Sequence, residues 1–229
     1  MEDVHALKKC FSDMRHFDFI CEPDRSRTIV QNDLARIAKD EKYKDYSYVI
    51  IIFLSHGDAG GIIKLSGDDE ITNEEIWQPF CSMDSIWQNK PKFFIFQACK
   101  GGDFTSTDNS KQPKVEVCTD IGKWHKMVPK EADILVAYST VEGNVSVRTP
   151  TGTWYIQKLC EIITEYGKYE DIVDILTRVN QEIANNKEIR GRDIKGIPEE
   201  FENKNIKQMP MFLSTLTKKF YFYSLANRT

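Results

Sequence analysis

The chain has 229 residues, of which 41% are hydrophobic and 11% aromatic, and carries a net charge of −4. That length suits one α/β domain with a sizeable core, and the acidic balance excludes the basic surface that a nucleic-acid binder needs. No apolar run reaches the roughly 18 residues of a membrane span, and the opening Met1-Glu2-Asp3 lacks the basic and apolar regions of a secretion signal.

In chain order, Val4, Leu7, Phe11 and Met14 are spaced for one face of a helix. Phe17 to Cys21 predicts a short strand stopped by Pro23. Thr28 to Lys39 predicts a second helix, with Thr28 as its cap and Ile29, Leu34, Ile37 and Ala38 on one side. Tyr48 to Leu54 is a long apolar strand. Ile62 to Leu65, the turn-like Ser66-Gly67-Asp68-Asp69 and Glu70-Ile71 predict a β-hairpin. Thr72, with Glu75 three residues later, predicts a capping box that opens a helix running to Phe80. Phe93 to Phe96 reads as a strand buried on both faces, as in parallel sheets. Asp103 to Gly122 is the most loop-like part. Ile134 to Tyr138 is another buried strand, and Trp154 to Glu165 and Ile172 to Ala184 are amphipathic helices. Asn186 to Gln208 is polar and loop-like, and Met211 to Leu216 and Phe220 to Tyr223 read as two closing strands. Strands alternating with helices predict an α/β fold, a mainly parallel sheet covered on both faces.

Six cysteines, at 10, 21, 81, 99, 118 and 160, form no CxxC pair. Neither a zinc site nor a disulfide framework follows from that spacing; thiols in a reducing, cytoplasmic compartment do. No metal and no cofactor are expected. Asn144-Val145-Ser146 and Asn227-Arg228-Thr229 match the glycosylation pattern by chance in a chain of that kind.

Two strand ends carry the chemistry. Phe93 to Phe96 runs into Gln97-Ala98-Cys99-Lys100-Gly101-Gly102. A cysteine just past the carboxyl end of a buried strand stands where open α/β sheets hold their active sites. On that stretch alone an ordinary buried thiol is the better reading. The Tyr48 to Leu54 strand changes the balance, because it ends in Ser55-His56-Gly57. Neighbouring parallel strands bring their carboxyl ends to one edge of the sheet, so His56 and Cys99 are expected to face each other there. An imidazole favours the thiolate, which is the nucleophilic form of cysteine. Gly57 and Gly101 allow the close backbone approach that an oxyanion site requires.

Gln97-Ala98-Cys99-Lys100-Gly101 with Ser55-His56-Gly57 upstream resembles the caspase family of cysteine peptidases. Tyr138-Ser139-Thr140, Ser146-Val147-Arg148, Gly152-Thr153-Trp154-Tyr155-Ile156-Gln157, Leu176-Thr177-Arg178-Val179-Asn180 and Leu216 to Phe222 resemble further blocks of that family, in its order. The resemblance implies a three-layer caspase-like sandwich and peptide hydrolysis after aspartate, in apoptosis or related proteolytic signalling. In that scheme Cys99 is the nucleophile, His56 handles the proton, and the Gly57 and Cys99 N–H groups hold the oxyanion. Arg148 and Gln97 bind the substrate carboxylate, and Val145, Val147 and Trp154 line the neighbouring subsites. Residues 1–102 become the large-subunit part, 103–122 the intersubunit linker and 123–229 the small-subunit part. Asp103, Asp108 and Asp120 are candidate cleavage points for activation of a zymogen. Implied partners are protein substrates with an exposed aspartate, a second copy or another caspase joined through Met211 to Tyr223, and inhibitor-of-apoptosis proteins; nucleic acid and membrane are not among them.

The chain departs from the family pattern in three ways. It begins at about the first helix, so the family's first sheet strand and the second substrate-binding arginine before that helix are not in it, and a longer chain upstream is expected. Val145 and Val147 stand where the family has aromatic side chains, which implies altered subsite preferences. Lys100 and Asp58 replace the usual arginine and glutamate. The missing arginine motivates an alternative: a catalytically weak homologue that regulates an active caspase as decoy or partner. A binding domain with Cys99 in its core is the remaining reading, and thiol reactivity separates it from the others.

Overall fold

The computed structural model describes residues 2–12, 14, 17–98, 132–141, 146–194 and 199–223. Helices α1 (Glu2–Ser12) and α2 (Arg27–Lys39) lead to strand β1 (Val49–Leu54). A small antiparallel sheet follows, made of β2 (Gly57–Asp58), β3 (Ile62–Lys64) and β4 (Glu70–Thr72). Then come α3 (Asn73–Cys81), β5 (Lys92–Gln97) and β6 (Ile134–Tyr138). The hairpin of β7 (Arg148–Thr149) and β8 (Gly152–Thr153) precedes α4 (Trp154–Tyr166) and α5 (Ile172–Asn186). The short pair β9 (Ile189–Arg190) and β10 (Asn205–Ile206) comes before β11 (Met211–Ser214).

The main sheet has the order β1-β5-β6-β11. β1 and β6 flank β5 in parallel, and β11 lies antiparallel on β6, so the sheet is mixed and mainly parallel. Successive side chains of a strand go to opposite faces, and here each face has its own helices. Ile50, Ile52, Phe93, Ile95, Leu135 and Ala137 pack with residues of α1, α4 and α5, among them Phe11, Leu159 and Val179. Val49, Ile51, Phe53, Phe94, Phe96 and Val136 pack with residues of α2 and α3, among them Leu34, Ala38, Ile76 and Phe80. That is the three-layer α/β arrangement expected from the alternation of elements.

Local signals set several boundaries. Thr72 and Glu75 form the reciprocal capping box at the start of α3, with each side chain bonded to the other's backbone N–H. β3 and β4 make the predicted hairpin. α2 begins one residue before Thr28, with Ser26 at its N-cap, and Ile29 is 42% exposed instead of joining the buried side.

Two predicted strands are absent. Phe17 to Cys21 forms no strand: Phe17 and Phe19 pack on the α1 side of the core while Ile20 is 52% exposed. An alternating pattern makes a strand only beside a partner, and no described strand lies beyond β1. Phe220 to Tyr223 is also irregular, held by the bond from Ile172 N–H to Phe220 C=O at 2.9 Å and by the burial of the Phe220 and Phe222 rings. The polar stretch 186–208, expected as loop, contains the β9–β10 pair. No helix among the described residues is long and apolar enough to cross a membrane.

Candidate active site

β1 and β5 are in register with Leu54 opposite Gln97, and the Ser55 N–H donates to Gln97 C=O at 3.1 Å. The Ser-His-Gly and Gln-Ala-Cys motifs therefore leave adjacent parallel strands at the same level. Cys99 itself lies outside the described residues, as do Val145 and the aspartates 103, 108 and 120.

The backbone around His56 is fixed by the small sheet. Lys64 N–H donates to His56 C=O at 2.8 Å, and Ser55 Oγ donates to Lys64 C=O. His56 and Lys64 thus form a hydrogen-bonded pair, and Gly57–Ile63 is the next, non-hydrogen-bonded one. The Gly57 N–H consequently points away from β3. The His56 imidazole is exposed. The turn from β2 into β3 needs glycine at Gly61, where φ is +75° and an added Cβ would stand 2.7 Å from Asn73 Nδ2. Asn73 Nδ2 in turn donates to the Tyr138 hydroxyl at 3.1 Å, which ties the small sheet to β6.

Gln97 closes β5 and is 3% exposed. Its Nε2 donates to Ser146 Oγ at 2.7 Å, and among the described residues its buried Oε1 has no partner. An amide nitrogen carries two N–H groups, of which this bond uses one. Just past the end of β6, Ser139 N–H donates to Phe96 C=O at 3.0 Å and Ser139 Oγ to Ala98 C=O at 3.2 Å. A buried serine thereby holds the peptide that leads into Cys99.

Arg148 is exposed at the start of β7, opposite Thr153 of β8. Val147 and Trp154, also expected at the substrate wall, are both buried; Trp154 N–H donates to Val147 C=O at 3.2 Å. That bond continues the β7–β8 pairing by one step beside Arg148. Among the described residues, no group of three or more His, Cys, Asp or Glu side chains is gathered to hold a metal ion.

Three residues near the site were assigned no role from sequence. Ser139 follows a buried strand, as His56 and Cys99 do, so the reasoning that found those two could have found it. Ser146, the partner of Gln97, lay within a recognised block without a separate signal. Gln208 accepts from Val147 N–H at 2.8 Å across 61 residues, a pairing that no local pattern announces.

The whole arrangement can be set beside known proteins. The caspase domain profile matches residues 1–221. The chain belongs to the caspase family. It is 36% identical over 224 residues to caspase-7 of Gallus gallus, covering 96% of this chain and 69% of that one. Caspase-3 of Xenopus laevis is 34% identical over 228 residues, covering 96% and 72% of the two chains. Caspase-8 of Rattus norvegicus is 32% identical over 228 residues, with 96% of this chain and 44% of that one covered. As a caspase, the chain is a member of a cysteine peptidase family, and its mixed, mainly parallel sheet with helices on both faces is that family's layered fold.

Proposed function

We propose that this caspase is a cysteine endopeptidase of apoptotic or related signalling in the cytoplasm, cutting peptide bonds after aspartate with Cys99 and His56. The observation that supports it is the parallel pairing of β1 with β5, in register at Leu54 and Gln97, which ends the two motif-bearing strands at one edge of the sheet.

In this mechanism the Cys99 thiolate attacks the scissile carbonyl, and the carbonyl electrons move to oxygen. The oxyanion takes hydrogen bonds from the Gly57 and Cys99 N–H groups; the Gly57 N–H is not spent on β3. Collapse of the intermediate expels the amine, which takes its proton from the His56 imidazolium. Water then hydrolyses the acyl-enzyme with His56 as the base. The Arg148 guanidinium, a planar fork suited to a carboxylate, and the second N–H of the Gln97 amide recognise the aspartate side chain. Residues 103–122 link the two subunit-like parts, with Asp103, Asp108 and Asp120 as activation cuts. The outward edge of β11 is the proposed contact with a second caspase chain, and inhibitor-of-apoptosis proteins are proposed as ligands of the assembled enzyme.

The test is cleavage of fluorogenic peptides ending in aspartate or asparagine. Wild type should cleave the aspartyl peptide, and Cys99→Ala should not. Removing one oxyanion donor costs on the order of 10²–10³ in rate, so loss of the nucleophile should fall well beyond that. Arg148→Leu should lower kcat/KM for the aspartyl peptide and narrow its lead over the asparaginyl one. Wild-type cleavage no faster than that of Cys99→Ala would defeat the proposal.

A further inference from the structure

Arg148 sits on a hairpin too short to hold itself. β7 and β8 contribute two residues each, and even a full-length isolated hairpin is marginal in water. The guanidinium can meet a substrate in one place only if that backbone is fixed from outside.

Two buried polar side chains do this, one from each end of the chain. Gln208 is 2% exposed and lies between β10 and β11. Its Oε1 accepts from the N–H of Val147, the residue before Arg148, at 2.8 Å; its Nε2 donates to Ser139 C=O at 2.6 Å. One amide thus ties the arginine strand to the carboxyl end of β6. Asp3 is 6% exposed in the first turn of α1. Its Oδ1 accepts from the N–H of Thr153, the register partner of Arg148, and from Gln157 Nε2, both at 2.9 Å. Gly152 makes room for this contact: with φ at +111°, an added Cβ would stand 2.6 Å from Asp3 Oδ1 and 2.3 Å from Gln157 Nε2. The carboxylate also lies at the amino ends of α1 and α4, where helix dipoles favour negative charge.

We infer that Gln208 and Asp3 are positioning residues for Arg148, clamping the hairpin on both sides of the arginine so that its guanidinium meets the substrate carboxylate. The inference rests on the reading of Arg148 as the group that binds that carboxylate. Neither side chain touches substrate in this account; each acts through the backbone it holds.

The experiment compares two reagents on the full chain. A peptide fluoromethylketone ending in aspartate needs both the nucleophile and carboxylate recognition. Iodoacetamide labelling of Cys99, followed by mass spectrometry, needs only the nucleophile. Gln208→Met keeps length without hydrogen bonds, Asp3→Leu removes the acceptor, and Asp3→Asn keeps it. Misplacing a binding group by about 1 Å costs on the order of 10²-fold. Gln208→Met and Asp3→Leu should therefore slow the aspartyl reagent by roughly 10- to 100-fold and leave iodoacetamide labelling unchanged, while Asp3→Asn stays near wild type on both. If Gln208→Met does not fold, the contrast between Asp3→Leu and Asp3→Asn decides. Arg148→Leu separates the two ideas. Should it leave the aspartyl reagent unaffected, the reading of Arg148 fails and the inference with it. Should it slow that reagent while folded Gln208→Met and Asp3→Leu match wild type, the inference alone fails. A parallel loss of both labelling reactions in the two clamp variants would likewise overturn it, since it would mark general damage instead of positioning.

Discussion

Asp171 joins three parts of the chain through one side chain. It is the N-cap of α5 and accepts from Val173 N–H at 2.9 Å and Asp174 N–H at 3.2 Å. Its other oxygen meets Lys219 Nζ at 2.9 Å, next to the Ile172–Phe220 backbone bond. Burial pushes its carboxyl up, but Lys219 and the two helix N–H groups outweigh that and hold it below the usual range. A carboxylate depressed in the folded state adds stability above its unfolded pKa of about 3.9, and that contribution fades as pH falls through the folded value. Asp171→Ala should therefore cost about 1–2 kcal/mol near neutral pH, as the loss of a cap does. The gap from wild type, measured by denaturant unfolding, should shrink as pH drops below about 4. Lys219 is largely exposed, so Lys219→Ala should cost less than about 1 kcal/mol.

Among elements, β1 and β5 are both six apolar-rich residues long and pair with each other, yet every β5 residue is buried and every β1 residue only half-buried. β5 has neighbours on both sides; β1 has one among the described residues. Val49 and Ser55 donate toward β5, so the odd-numbered residues face the ladder and Ile50, Ile52 and Leu54 turn their N–H and C=O groups outward. An apolar edge of this kind is a template for pairing with another chain. Ile50→Pro removes one outward donor and no ladder bond. It should reduce light scattering on heating without raising Tm; unchanged scattering would show that association runs through another surface. The same contrast explains which elements could be read from sequence. The Thr72–Glu75 box and the α5 face of Ile172, Ile175, Leu176, Val179 and Ile183 are encoded within a few residues. Phe17 to Cys21 has strand-like alternation, but a strand needs a neighbour, and composition cannot report whether one is present. Phe220 to Tyr223 has strand composition too, yet its rings are placed by Tyr48 and Phe93, with Phe220 centroids 4.6 Å from each. At the candidate site, the strand-end positions of His56 and Gln97 were legible, because buried strands advertise their ends. The clamp residues were not: Asp3 reaches Thr153 across 150 residues.

At the scale of the molecule, the chain before the expected 103–122 linker and the chain after it share one core. β5, from the first part, is paired along its length with β6, from the second. α1 packs on α4, with Cys10 Sγ directed at Cys160 C=O and Asp3 bonded to Thr153. Phe220 and Phe222, near the chain end, lie in the same cluster as Leu7 and Phe11 near its start. Ile172 N–H and Thr217 N–H bind Phe220 C=O and Asp133 Oδ1, which returns the last described residues to α5 and to the start of β6. Cutting the chain between 103 and 122 would remove a covalent link and none of these contacts. Limited proteolysis there should give two fragments on a denaturing gel that still co-elute at the size of the intact chain in native gel filtration. Thermal unfolding of the nicked protein should remain a single transition, since β5 and β6 pair along their length in the middle of one sheet and neither side can melt without exposing the core of the other. The midpoint of that transition should depend on protein concentration, because unfolding now separates two chains. Fragments that part in native buffer would mean that the β5–β6 ladder and the helices over it do not outweigh the entropy gained on dissociation.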